Sequence, residues 1–129
     1  MRVLMDAHAL LWWLDSDPRL SASARGAIEG AEQSLIGAGT LAEIAIKRSL
    51  GKLEIDANWP EQVQADGFVL LPIGWAHARR LQDLPFPRIA GREHRDPFDR
   101  LLAAQALGER VPVVTRDPAF AVYGVPTIW

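Results

Sequence analysis

Apolar residues fall into short runs of two kinds, and the kinds alternate along the chain. The first kind is continuous and four or five residues long: Arg2 to Met5, Ser34 to Ala38, Phe68 to Leu71 and Val111 to Thr115. Such runs, bounded by turn residues, predict strands. Pro112 has no N–H to give a ladder, which confines the fourth strand's proline to its start or to an edge. The second kind is longer and mixed with polar positions, as helices are. Ala7 to Leu14 predicts a buried helix, broken by Asp15-Ser16-Asp17-Pro18. Ser21 caps a second helix through about Glu29, and Gly30 ends it. Thr40 opens a third, with Ile44, Ile46 and Leu50 as apolar positions before Gly51. A short helix begins at Trp59-Pro60, another spans Trp75 to Leu81, and a last one spans Pro97 to Leu107. Leu84 to Arg95, with Pro85, Pro87 and Gly91, predicts a loop. Pro126 to Trp129 reads as a small final strand. The order is βαβα without a repeat or a linker. It predicts an α/β fold, one domain over residues 1–129, with a mainly parallel sheet covered by helices on both faces and right-handed crossovers.

That architecture gives meaning to the acidic residues. Asp6 and Asp117 end the first and fourth strands, and in open α/β sheets the carboxyl ends of strands converge on one crevice. Glu43 and Asp99 are placed within the first turn of predicted helices. Each acid has a plainer reading as a helix cap. Thr40-Leu41-Ala42-Glu43 matches a capping box. Asp96, followed by Pro97, is an evident N-cap, so Asp99 three residues on is free for another task. Asp117 could cap a short segment starting at Pro118. Together, however, four caps would have to gather at one end of one sheet. Carboxylates in one crevice repel unless a cation neutralises them. An oxygen-rich set without cysteine suits Mg²⁺ or Mn²⁺, which can activate water and steady an in-line displacement at phosphorus. The candidate ligands are therefore Asp6, Glu43, Asp99 and Asp117, with Asp96 as a cap and possible outer partner. Thr115 is placed to hydrogen-bond a ligating carboxylate.

Other polar residues carry less. His8 reads as a packed, hydrogen-bonded histidine, with a metal role as the minority reading. His77 is expected at the surface. His94 could touch substrate or the helix entrance. Trp12 and Trp13 are adjacent, so one belongs to the core and the other is available to a subunit or partner surface. Arg79, Arg80, Arg88, Arg92, Arg95 and Arg100 form a solvated face or, more sharply, a phosphate-contacting rim that Lys47, Arg48 and Lys52 could extend.

Composition narrows the class. With 129 residues, 49% of them hydrophobic, the chain can bury a core of its own. It has no cysteine, which removes disulfides and thiolate metal sites and suits a reducing cytoplasm. No apolar run is long enough for a signal peptide or a membrane helix. The net charge of −2 is not that of a typical nucleic-acid binder, although bound divalent ions would reverse its sign.

Four segments resemble motifs of the PIN-domain ribonucleases, specifically the toxin half of VapBC-type toxin–antitoxin pairs. The segments are Leu4-Met5-Asp6-Ala7-His8-Ala9-Leu10-Leu11-Trp12-Trp13, Glu43-Ile44-Ala45-Ile46-Lys47 with Leu50-Gly51-Lys52-Leu53, His94 through Ala106, and Val114-Thr115-Arg116-Asp117-Pro118 with Phe120. The resemblance implies a three-layer PIN-like sandwich and Mg²⁺- or Mn²⁺-dependent hydrolysis of RNA by a metal-activated water. It implies that Asp6, Glu43, Asp99 and Asp117 are the ligands, with Asp96 a frequent member of the same motif and a possible further ligand, and that Arg95, Arg100, Arg116 and His94 are candidate substrate contacts. It also implies a cytoplasmic homodimer held in check by a cognate antitoxin that places a basic side chain in the acidic pocket. Ala7 departs from the hydroxyl residue frequent at that position, Ala42 from a common aromatic, and Pro87 to Glu93 is a longer stretch than usual. Two other readings compete. A receiver-like or phosphatase-like domain would want an acid ending the third strand and a late lysine; Leu71-Pro72-Ile73 and the absence of lysine after Lys52 argue against it. A catalytically weak module could use the acidic pocket to grip a basic partner peptide.

Overall fold

Strand alternation splits the core into two layers, one on each face of the sheet. The computed structural model describes residues 1–129. Val3 and Met5 of strand β1 (Arg2–Met5) point to one face and Leu4 to the other. The first face is covered by helices α1 (Ala7–Leu14), α2 (Ala22–Gly30) and α4 (Trp59–Ala65) through Leu10, Trp12, Ile28 and Val63. The second is covered by α6 (Pro97–Glu109) through Leu102, Ala103 and Ala106, joined by Phe120 and Tyr123. The result is the three-layer arrangement expected of a sheet buried on both sides.

Five strands form that sheet, all parallel: β1, β2 (Gln33–Gly37), β3 (Val69–Leu71), β6 (Val113–Val114) and β7 (Thr127–Ile128), in the order β3-β2-β1-β6-β7. The chain builds outward from β1 first to one side and then to the other. The switch point therefore lies between β1 and β6, where a crevice opens beyond their carboxyl ends. Pro112 sits just before β6, an interior strand, and only its carbonyl is used, accepting from Leu4 N at 3.0 Å.

Several elements depart from the sequence expectations. Helix α3 (Ala38–Ser49) starts directly from β2, with Gly37 as N-cap. Thr40 is buried inside the helix and Glu43 lies in its second turn, so the capping box is not formed. The cause is close packing: a Cβ at Gly39 would meet Leu101 Cδ2 of α6 at 2.5 Å. Between α5 (Trp75–Asp83) and α6, the expected loop contains a small antiparallel hairpin, β4 (Arg88–Ile89) with β5 (Arg92–Glu93). Its turn uses Ala90 at φ 53° and Gly91 at φ 79°. A one-turn helix, α7 (Ala119–Val122), follows Pro118.

His77 is buried rather than at the surface, 7% exposed. It accepts from Gly74 N at 3.0 Å and lies 3.0 Å from Glu109 Oε2. Of the two tryptophans, Trp12 is buried and Trp13 is half-buried; Trp13 Nε1 donates to Asp66 at 3.0 Å and its ring meets Phe68 edge-on. No helix is long and apolar enough to cross a membrane.

Candidate active site

Every acid singled out from the sequence reaches the crevice at the switch point. A cavity of about 310 Å³ is lined by Asp6, Glu43, Asp96, Asp99 and Asp117 together with Thr40, Lys47 and Lys52. The backbone explains each placement. Asp6 is both the end of β1 and the N-cap of α1; its Oδ1 accepts from Ala9 N at 2.7 Å. Its Oδ2 accepts from Thr115 Oγ1 at 2.5 Å. Thr115 Oγ1 in turn accepts from Asp117 N at 3.0 Å, so one hydroxyl ties the ends of β1 and β6 together. Asp117 Oδ1 accepts from Ala119 N at 2.9 Å, which starts α7.

Asp96 caps α6, accepting from Phe98 N and Asp99 N at 3.0 Å each. Asp99 is thereby left in the first turn, facing the pocket. The close approach of α3 to α6 at Gly39 sets Glu43 on the opposite wall. Glu43 Oε2 accepts from Lys47 Nζ at 2.9 Å. Gly51, at φ 71°, ends α3 in a reversal where Lys52 N donates to Lys47 O at 2.9 Å. That turn carries Lys52 back to the pocket wall.

The electrostatics are those of crowded carboxylates. Burial first, then the neighbouring Asp96 and Asp117, push the Asp99 carboxyl up to about 6 against the opposing effect of His94. Asp6 is 8% exposed. Its carboxyl is also raised, chiefly by burial; the Thr115 and Ala9 hydrogen bonds work against that and Asp117 adds to it.

The stability consequence has a definite sign. The folded pKa of Asp99 lies above its unfolded value of 3.8, so between roughly pH 4 and 6 the native chain binds more protons. Its contribution therefore becomes destabilising as pH rises through that window. Without metal, Asp99→Asn should raise stability at pH 7.5 by on the order of 1 kcal/mol, the full shift being discounted for partial exposure. At pH 4 the gain should vanish. Thermal melts of both proteins at the two pH values check this.

Sequence reasoning did not find the partners that hold Asp99. His94 Nε2 lies 3.2 Å from Asp99 Oδ2, and Nδ1 lies 2.6 Å from Tyr123 Oη. If Nε2–H donates to the carboxylate, Nδ1 must accept from the phenol, which fixes the tautomer. Arg100 Nη1 donates to the same phenol oxygen at 3.3 Å. His94 thus positions a carboxylate, at the helix entrance. Tyr123 is the chain's single tyrosine, lies 29 residues away, and belongs to no pattern that would have singled it out.

The arginines divide. Arg100 is a correction: it is 5% exposed, and its guanidinium donates to Leu84 O and Pro85 O while lying 3.8 Å from the Phe86 ring centroid. A guanidinium spent on carbonyls inside the protein is not a substrate contact. Arg95 is exposed and bonded to Glu93. Arg116 is exposed, lies over Trp12, and lines a second cavity beside the acids. His8 is also a correction: it is exposed, stands against Trp12, and makes no hydrogen bond within the chain.

A divalent cation fits this donor set by chemistry. Five carboxylates share one pocket, two of them have their proton affinity raised, and an ammonium already neutralises a third. The side chains do not yet close on one point, for no three of them surround a common position. Glu43 keeps Oε1 and Asp99 keeps Oδ1 outside the contacts with Lys47 and His94. Thr115 fixes Asp6 through its hydroxyl. Thr115→Val should lower the pocket's affinity for a divalent ion by about 10- to 100-fold, the usual cost of losing such a partner. A calorimetric Mn²⁺ titration of both proteins tests it.

The profile of the PIN domain matches residues 3–126. Ribonuclease VapC22 of Mycobacterium tuberculosis is 29% identical over 135 residues, covering 98% of both chains. Among solved structures, VapBC2 of Rickettsia felis bound to a promoter DNA fragment superposes with a TM-score of 0.72 at 13% identity, covering 98% of this chain and 97% of the other. VapBC-1 of nontypeable Haemophilus influenzae gives 0.67 at 14% identity, covering 98% and 96%. At these identities the structural likeness speaks for the fold alone.

Proposed function

The chain belongs to the PIN domain family, and from that premise we propose that it is a divalent-metal-dependent endoribonuclease, the toxin of a toxin–antitoxin pair. The observation that carries the reading is the gathering of Asp6, Glu43, Asp99 and Asp117 in one pocket at the sheet switch point, where burial and mutual repulsion raise the proton affinity of Asp6 and Asp99. These four residues would hold Mg²⁺ or Mn²⁺. Such an ion neutralises the carboxylates, lowers the pKa of water and stabilises charge developing at phosphorus. The protein supplies the rest. Thr115 and the Ala9 amide hold the Asp6 carboxylate rigid. His94 and Tyr123 orient Asp99. Asp96 keeps the first turn of α6 intact. Lys47 and Lys52 provide positive charge for an RNA backbone at the mouth of an otherwise acidic cleft, and Arg116 beside them is a further substrate contact. Unpaired RNA is the substrate class that such a cleft admits, because its backbone and bases are accessible.

The partners follow from the same reading: a cognate antitoxin, an RNA, and a second copy of this chain in a cytoplasmic homodimer. A solved structure of similar fold from Klebsiella pneumoniae is a toxin–antitoxin complex, which supports an antitoxin here as well. One observation favours a second reading. Lys47 already sits on Glu43, so an amine can occupy the acids in place of a metal, and a basic partner side chain could do the same without any catalysis.

Melting the purified protein separates the two. A ligand that binds only the native state raises its stability, by about 2.7 kcal/mol at a concentration 100 times its Kd. A clear rise with Mn²⁺ that Asp6→Asn and Asp99→Asn lose supports the metal centre. Indifference to both Mg²⁺ and Mn²⁺ supports the binding module.

A further inference from the structure

The cavity beside the acids has a different character. It measures about 270 Å³ and is lined by Asp6, His8, Trp12, Arg116, Asp117 and Pro118. Asp6, His8 and Asp117 line the carboxylate pocket too, so the two cavities share a wall. Trp12 is the fixed part: it is 7% exposed, with the Trp129 ring edge-on at 5.7 Å and the Arg19 guanidinium over it at 4.9 Å. Two planar groups lean on it. The His8 ring stands 5.6 Å from the Trp12 ring at 32° between planes, and the Arg116 guanidinium lies 4.5 Å from the ring centroid. Both residues are exposed, His8 makes no hydrogen bond within the chain, and Arg116 enters no ion pair.

An exposed imidazole on a helix whose next two residues, Ala9 and Leu10, are fully buried needs a reason. Neither group is used to hold the fold. Flat faces of this kind, next to a phosphate-cleaving centre, are what unpaired bases stack on. We propose that the cavity formed by His8, Trp12 and Arg116 seats one unpaired RNA base beside the phosphodiester that is cut, and so helps set where cleavage falls. The proposal rests on the ribonuclease reading above. His8 and Arg116 present the stacking faces; Trp12, buried behind them, holds both in place.

The alternatives ask for other properties. A metal ligand at His8 needs a ring nitrogen, and a phosphate contact at Arg116 needs only charge. Stacking needs a plane. The test is Mn²⁺-dependent cleavage of a set of short single-stranded RNAs differing in one base, read by sequencing the ends and by KM. His8→Ala should raise KM about tenfold and flatten the base preference at the cut. His8→Phe, which keeps a plane and loses both nitrogens, should restore both. Arg116→Lys, which keeps the charge and loses the plane, should behave like Arg116→Ala. The proposal is overturned if His8→Ala keeps the wild-type KM and cut-site distribution, if His8→Phe is no better than His8→Ala, or if Arg116→Lys is indistinguishable from wild type. Wild-type protein that cuts none of these RNAs overturns the ribonuclease reading itself, and this proposal with it.

Discussion

Asp6→Asn should reduce RNA cleavage by about 10³-fold, the several kcal/mol of charge stabilisation that a bound divalent ion supplies. The fold should survive. Asn is as good an N-cap as Asp, so its side-chain oxygen can still accept from Ala9 N. Its amide can meet Thr115 Oγ1, which then accepts instead of donating. The variant also stops burying a charge. Its melting temperature without metal should therefore equal or exceed that of the wild type, as often happens when an active-site carboxylate is removed. Loss of cleavage with a preserved melt marks Asp6 as part of the chemistry. Equal activity would remove it from the centre.

The second large effect is on stability. Arg100→Ala should cost about 3 kcal/mol, because it leaves buried carbonyls without donors and removes a large packed side chain. The guanidinium holds Leu84 O and Pro85 O, touches Tyr123 Oη and lies on Phe86. It thus fastens the segment from Leu84 to the start of α6 onto that helix. Arg100→Lys should recover only part, since one ammonium cannot reproduce a planar fork. Activity should fall as well, because Tyr123 and His94, which hold Asp99, belong to the same cluster. Urea unfolding measures the first effect and RNA cleavage below the transition the second.

These two residues show what the sequence could and could not say. Asp6 was legible because position alone identifies it: a strand-ending acid in a βαβ pattern points to the switch crevice. Asp96-Pro97 with Asp99 was legible for a similar reason, since capping is local and needs one acid where two are present. Arg100 was misread as a solvated or phosphate-facing residue. Its burial depends on carbonyls 15 and 16 residues earlier, and nothing local records that. Glu43 does line the pocket with the other acids, but the capping box expected for it does not form. The start of α3 was decided by its junction with β2 and by tight packing at Gly39, not by the Thr40 hydroxyl. The hairpin at Arg88–Glu93 was missed because two-residue strands are too short to show alternation. His8 looked like a core residue because its helix is apolar on every side, and its exposure appears only once α1 is set against the sheet.

The layered fold was the easier part. Continuous apolar strands and alternating helices admit few arrangements, and the observed one is fully parallel in its five-stranded sheet. What the pattern left open was side-chain partnership across the crevice: Thr115 with Asp6, Lys47 with Glu43, His94 with Asp99. Those contacts decide how the pocket holds its charge.

The central claim is that this pocket directs water at phosphorus with a divalent ion. The chemistry of the RNA ends tests it most directly. If water attacks and the 3′ oxygen leaves, the products carry a 5′-phosphate and a 3′-hydroxyl, and they form with Mg²⁺ or Mn²⁺ but not with EDTA. Fragments ending in a 2′,3′-cyclic phosphate, formed equally well in EDTA, would mean that the RNA's own 2′-hydroxyl attacks, and would contradict the assignment of Asp6, Glu43, Asp99 and Asp117.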